Sequence, residues 1–397
     1  MPKNPLRASA LATAGCLALS STLIAAPAHA HRSPAPPTPS TVAEGLAGPL
    51  ALAVGDRHEL FVTQGFAGTL SKIDRRGRVS TVAQMPPGEP GPQGPSNEIA
   101  GVDYSKGSTF HIETDYLAGF SHIVKTTSKG KRSVVSQDFL AHESKRNPDR
   151  KVRYGFVGLR GQCARDLAAL EAQIGQRLVS EATGEDFSHA YQLDVTRHAT
   201  YVADAGANAL LKVSPRSGKI STVAVLPPVK VTAGPELMAA LDAALAGMPQ
   251  LPAGTTAPDC LEGRTFVGEP VPTDVEMGRD GQLYVTTLAG VAGESLPLSH
   301  VYKVDPKRGK IRTVASGLHG ATGVAVAPNG TVFAAEMFGG EVSVIPQGSR
   351  RATTLFAADS PGDVEVHGNT VYATTGVFDP EGNGTVVKVA YRHHGRR

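Results

Sequence analysis

The chain of 397 residues has no tryptophan, three cysteines, and only 5% aromatic residues. Without many large rings, a core for so long a chain must be tiled from small aliphatic and β-branched side chains, which favours many short strands. Charge is sparse and balanced: charged residues make up 19% of the chain and the formal net charge is +3. That balance removes the electrostatic basis for nucleic-acid binding. Beyond residue 30 no apolar run is long enough to span a bilayer. Cysteine is too scarce for a disulfide-rich scaffold, and no histidine flanks Cys163 or Cys260 at the spacing a structural zinc site needs.

Among what is present, the N-terminus reads as an export signal. Lys3 and Arg7 precede an apolar, small-residue stretch over 8–26, and Ala28-His29-Ala30 has the pattern of a cleavage site. Residues 1–30 are therefore expected to be removed, leaving a Pro-rich linker over 31–39 and placing the mature chain outside the cell or in the envelope. Lipid attachment at Cys16 is the rival reading, but the apolar run continues past that cysteine. Loss of Lys3 and Arg7 from the 39 basic residues leaves 37 against 36 acidic. The tail over 392–397 is basic and reads as a solvated end. Cys163 and Cys260, an even count in an oxidising compartment, are expected to form a disulfide.

Glycine is abundant, at 44 residues, and it punctuates a repeat. The segment "STVAEGL" at 40–46 recurs as "STVAQMP" from Ser80, "STVAVLP" from Ser221 and "RTVASGL" from Arg312. Each later copy ends a longer unit: an alternating apolar strand, a tight turn, a second strand, a small-residue loop, a third strand, another turn and the "TVA" strand. The clearest unit, 320–357, holds Pro328-Asn329-Gly330 between two alternating runs, a strong hairpin signal. Six units can be aligned, and the sixth stops after three strands. Residues 40–46 supply its missing fourth. The fold class expected is all-β, a six-bladed β-propeller over 40–391 closed by an N-terminal strand. Closure removes exposed sheet edges, whereas an open solenoid would require capping units.

Equivalent positions on the innermost strands are Leu52, Val102, Leu193, Val275, Val324 and Val364, and two of the steps between them are about twice a unit's length. Units 2 and 3 are thus each followed by a partly helical insertion, at about 137–189 and 227–270. Leu167, Leu170, Ile174 and Leu178 recur at helical spacing in the first; in the second, Pro235 opens a segment with Leu237, Leu241 and Leu245 on one face and Gly247 after it. Both insertions leave an outermost strand, so topology puts them on the same face as the loops joining second to third strands. They cap the ring or wall a pocket. With Cys163 in one and Cys260 in the other, the expected disulfide ties them together.

Three stretches carry a resemblance: "YGFVGL" at 154–159, "EPVPTDVEMGRDGQLYVTTLAG" at 269–290 and "GATGVAVAPNGTVFAAEMFGGEVS" at 320–343. With them the chain resembles the ScyD/ScyE family of secreted propeller proteins, over essentially all of the mature sequence. The resemblance implies export and a propeller related to NHL-type repeats. It implies no reaction and no catalytic residue.

The innermost strands are acidic. Asp103, Asp194, Glu276 and Glu365 share one position in four units, and Asp274 and Asp363 share another two residues earlier. Symmetry gathers such positions near the axis. One reading is a hard cation such as Ca²⁺ on Asp103, Asp194, Glu276 and Glu365; the other is carboxylates that accept loop N–H groups. The second strands end in Gln64, Thr114, Asp204, Thr287, Glu336 and Thr375. Of these, Asp204 and Glu336 are candidate acids or bases, or acceptors that fix the adjoining turn. Propeller lactonases place metal ligands after the Pro that opens a blade. The corresponding residues here, Leu50, Ala100, Tyr191, Thr273, Thr322 and Gly362, include no carboxylate and no Asn. The function expected is a secreted module that binds a small molecule, glycan or protein on the inserted face. A metal-assisted hydrolase or lyase at the axial opening is the alternative.

Overall fold

A strand buried on both faces reads as a continuous apolar run, and one with a single buried face alternates. Both kinds occur among the repeats. In the computed structural model, which describes residues 37–86, 88–91 and 94–391, the inner strand Ala321–Val326 is buried throughout. The outer strand Val79–Gln84 buries little besides Ala83. The expected leader, most of the linker and the basic tail lie outside the described residues.

The repeats form four-stranded antiparallel sheets, each made of consecutive strands: those beginning with Pro49–Val54, Asn97–Ser105, Ala190–Val195, Pro272–Met277 and Ala321–Val326. A further sheet begins with Val364–His367 and is completed by the N-terminal strand Ser40–Leu46, which lies antiparallel to Gly384–Ala390. In that pairing Thr41 faces Val387 and Ala43 faces Val386. Apolar side chains of each sheet pack on the next. Ile112 and Ile123 meet Leu193 and Val202, and Leu210 meets Val275 and Val285. Tyr284 meets Val324, and Phe333 meets Val364. Leu46 and Val386 then meet Leu52, and Ala53 meets Ile99, so the interfaces follow one another around a closed circuit. The larger buried side chains in these interfaces are Leu, Ile, Val, Phe and Tyr, as the lack of tryptophan requires.

The insertions fold on one another. Strands Arg153–Phe156 and Ala182–Thr183 of the first join Thr265–Gly268 and Val229–Thr232 of the second in one more four-stranded sheet. Helix α1 (Phe139–Arg146) opens the first insertion. Helix α2 (Gly161–Ile174) buries Leu167, Leu170 and Ile174, and α3 (Pro235–Ala246) buries Leu237, Leu241 and Leu245. These two stripes share a core with Phe156, Leu261 and Ala292, the last from the short helix α4 (Gly290–Ser295) in the long loop of unit 4. One expectation is corrected: α2 stops at Ile174, because Gly175 takes a left-handed φ of 79° and caps it. Leu178 lies beyond the helix and packs on the same core from an irregular segment. Cys163, in the first turn of α2, is bonded to Cys260, with Cα atoms 5.8 Å apart.

Candidate functional site

The axial acids are positioned by strand alternation: in each inner strand, residues two apart point the same way. Asp103 accepts the Val195 N–H at 2.6 Å, Asp194 accepts that of Met277 at 2.8 Å, and Glu276 accepts that of Val326. Each carboxylate therefore reaches the inner strand of the next sheet, at the residue following that sheet's own equivalent position. The second set is laid out similarly. Asp274 accepts from Val324 N at 2.6 Å and Asp363 from Leu52 N at 2.8 Å. Gln192, at the same position in unit 3, accepts from Val102 N at 2.9 Å and donates to Asp363 at 3.1 Å. That last bond joins units 3 and 6 across the axis. Glycine fills this position in two of the remaining units, and the space is needed. A Cβ on Gly101 would lie 2.4 Å from the Gln192 side-chain oxygen, and one on Gly323 would lie 2.4 Å from Asp363 Oδ1.

Asp274 and Asp363 are buried, while Asp103, Asp194, Glu276 and Glu365 are half-buried. Desolvation dominates their ionisation. It raises Asp103 to about 6 and Asp363 to about 7; together with the neighbouring Asp103 charge it raises Asp194 to about 8. Asp274, Glu276 and Glu365 are pushed well above the usual carboxylate range by burial and then by a neighbouring carboxylate, Asp363 acting on Asp274, Asp194 on Glu276 and Glu276 on Glu365. Backbone N–H groups pull the other way on all but Glu365. Among the described residues, no three His, Cys, Asp or Glu side chains come together to hold a metal ion. On this geometry the ring links sheet to sheet through hydrogen bonds.

Asp204 and Glu336 likewise accept local N–H groups. Asp204 takes the Ser188 hydroxyl at 2.6 Å, His189 N at 2.8 Å and Ala207 N at 3.1 Å. Glu336 takes His319 N at 2.7 Å, and Gln64 takes Ala47 N at 2.7 Å, at the matching turns. These side chains pin the segment leading into each inner strand. Burial raises both acids against the pull of those bonds.

A cleft of about 380 Å³ opens where the insertions meet the ring. Arg177, Glu185 and, at its end, His189 come from the first insertion and Glu269 from the end of the second, while Gly206 and Val271 belong to the ring. Arg177 forms an ion pair with Glu185. Burial raises Glu269, Arg177 pulls it down, and Glu185 and Asp149 push it up. His189 lies 2.8 Å from Glu98; burial pulls the imidazole down, but the charge and hydrogen bond of Glu98 together with the Asp204 charge keep it above its ordinary value. Phe187, also on the cleft wall, stacks on Tyr116. A narrower hollow of about 110 Å³ shares Arg177 and Glu269 and runs into the core between α3 and the cap sheet. A larger groove, about 690 Å³, lies between the hairpin turns of units 4 and 5. It is the gap that neighbouring sheets leave as they diverge, and it is bordered by exposed turn residues such as Arg279 and Asn329.

Sequence reasoning named the axial acids, Asp204 and Glu336, but none of Arg177, Glu185, Glu269 and Glu98. These residues lie in, or face, non-repeating sequence, where no periodic signal marks them. No spacing marks His189 either, because its partner Glu98 lies some ninety residues away in sequence.

The architecture is that of a β-propeller, as solved structures show. A protein assigned as an oxidoreductase (glucose dehydrogenase) from Thermus thermophilus is similar over 89% of this chain and 99% of its own, at 13% identity and a TM-score of 0.52. A gluconolactonase from Xanthomonas campestris is similar over 89% and 94%, at 10% identity and a TM-score of 0.51. A virginiamycin B lyase from Staphylococcus aureus is similar over 89% and 98%, at 13% identity and a TM-score of 0.48. Identities this low speak to the fold alone. No family model and no curated protein matches the chain. Among the described residues, no helix is long and apolar enough to cross a membrane.

Proposed function

We propose that the chain is an exported six-bladed propeller of the ScyD/ScyE type that acts as a ligand-binding module outside the cell or in its envelope. Its binding site would be the cleft between the cap and the ring. The observation that carries this reading is the composite wall: both insertions, the Ala205-Gly206 loop of unit 3 and Val271 at the entry to unit 4 contribute to one concave surface. A mere lid over the ring would not bring Arg177, Glu185, Glu269 and His189 to the same opening. Concave sites with a few convergent polar groups beside an aromatic face are the usual form of small-molecule sites. The guanidinium offers forked donors, the two carboxylates offer acceptors, and Phe187 offers a ring face. That set suits a polar, polyhydroxylated ligand such as a sugar or glycan end.

Saturation-transfer NMR of the full protein against a panel of neutral and acidic saccharides tests the reading. At least one is expected to bind, and Arg177→Ala should weaken it about tenfold or more, the loss typical of a charge-assisted hydrogen bond. Binding unaffected by Arg177→Ala, or no binding across the panel, would refute a saccharide site in this cleft.

A further inference from the structure

The first insertion leaves the ring through a segment rich in unpartnered oxygens. Helix α1 is capped by the Asp138 carboxylate on Ala141 N and ends at Asn147, which holds a left-handed φ of 33°. Its buried residues are Phe139 and, one turn on, Glu143. Glu143 is 1% exposed, yet neither carboxylate oxygen has a hydrogen-bond partner. Asp149, just past the helix, is fully buried. Its Oδ2 accepts the Tyr154 hydroxyl at 3.0 Å and the Asn208 amide at 2.9 Å, while Oδ1 accepts nothing. The Asn147 amide donates to the Gly184 carbonyl at 3.2 Å, and its own Oδ1 is buried without a partner. Gly184 packs directly against the Asp149 carboxylate, where a Cβ would stand 2.0 Å from Oδ1.

Buried oxygens of this kind are costly unless something donates to them. Among the described residues no lysine or arginine donates to them, and the buried Nε2 of His142 on the same helix has no partner either. Arg150 donates to the Arg146 and Asn147 carbonyls instead, and the charges acting on Glu143 are those of Asp204, Asp149 and Asp186. We propose that Glu143, Asn147 and Asp149 hold a hard divalent cation of the Ca²⁺ class. The donors are all oxygen, two carboxylates and an amide, on a turn that can complete a coordination shell with carbonyls or water; this is Ca²⁺ chemistry rather than that of a nitrogen- or sulfur-seeking metal. Through Asn208 and Tyr154 the Asp149 carboxylate already joins unit 3 to the cap sheet, so a cation here would lock the cap onto the ring. The site is distinct from the axial ring and does not depend on the cleft binding a saccharide.

The chain's lack of tryptophan supplies a clean readout, because Tb³⁺ can be sensitised only through tyrosine and Tyr154 touches the site. Full-length protein stripped with chelator is titrated with Tb³⁺ and then with Ca²⁺. Sensitised emission should rise several-fold and be chased by Ca²⁺, and Tm should rise by about 3–6 °C at saturating Ca²⁺. Glu143→Gln and Asn147→Gly should each abolish both effects. Glycine tolerates the left-handed backbone of Asn147, so that variant is expected to fold even if Glu143→Gln does not. Glu276→Gln, in the axial ring, should retain both effects. Absent emission with an unmoved Tm overturns the proposal, as does emission that survives in the Asn147→Gly protein or disappears in Glu276→Gln.

Discussion

The axial carboxylates show how one side-chain position can serve two demands. As acceptors they hold each inner strand to the next, and a protonated carboxyl or an amide can do this as well as a carboxylate. As charges they repel one another in a poorly hydrated space, which is why Asp194 is raised to about 8 by burial and then by Asp103. The sign of the pH dependence follows. An acid whose folded pKa lies above its unfolded value binds more protons when folded, so its contribution is full below pH 4 and is lost as pH rises towards 8. Asp194→Asn keeps an acceptor for Met277 N and removes the charge. Its Tm should match the parent's near pH 4 and exceed it by about 2–5 °C at pH 8.5, measured by scanning fluorimetry across that range. A lower Tm for the variant at pH 8.5 would show that the charge is wanted, as it would be if a cation sat at the ring. The recurrence of these acids was legible in the sequence, because repeat register and strand alternation place them on one face. Their partners were not, since each N–H lies one sheet away and only the assembled ring brings it near.

At the scale of elements, helices α2 and α3 were readable from their apolar spacing, and Pro235 and Gly175 account for where one begins and the other ends. The cap sheet was not readable. Its strands are two to four residues long and pair across the two insertions, so neither carries an alternation long enough to register. Pairing so short is held by what surrounds it: the shared core of α2 and α3 and the Cys163–Cys260 bond, which closes a separation of 97 residues. On loop-entropy grounds such a bond contributes about 3–5 kcal/mol. Replacing both cysteines with serine should therefore loosen the cap before the sheets. Limited trypsin digestion should cut first within the insertions, at exposed sites such as Arg177 or Arg264, while far-UV circular dichroism keeps the β signal up to a higher temperature. Cleavage and loss of β signal at one common temperature would show instead that cap and ring melt as a unit.

Across the whole molecule, the strand Ser40–Leu46 decides whether the circuit of sheets has an edge. It is separated in sequence from its partner Gly384–Ala390 by nearly the full chain, yet the repeat itself marked the gap it fills: the last unit ran out one strand short. Ala43 and Leu46 are buried against Val386, Leu52 and Leu60, so the strand contributes apolar packing to the interface between the first and last units as well as ladder bonds. Without it, the strand Gly384–Ala390 would present an open row of N–H and C=O groups beside exposed apolar side chains, a template for pairing with another chain. A protein beginning at Ala47 should lose about 10 °C or more in Tm, since it forfeits two fully packed side chains and one edge of the final sheet. It should also run as dimers or larger species in size-exclusion chromatography with light scattering. Adding the peptide Ser40–Leu46 in excess should restore the monomer and part of the lost stability, because the groove it fills is built by the rest of the chain. A truncated protein that stays monomeric with its Tm unchanged would mean that the circuit closes through packing of the inner strands alone, and that the N-terminal strand only decorates a ring already complete.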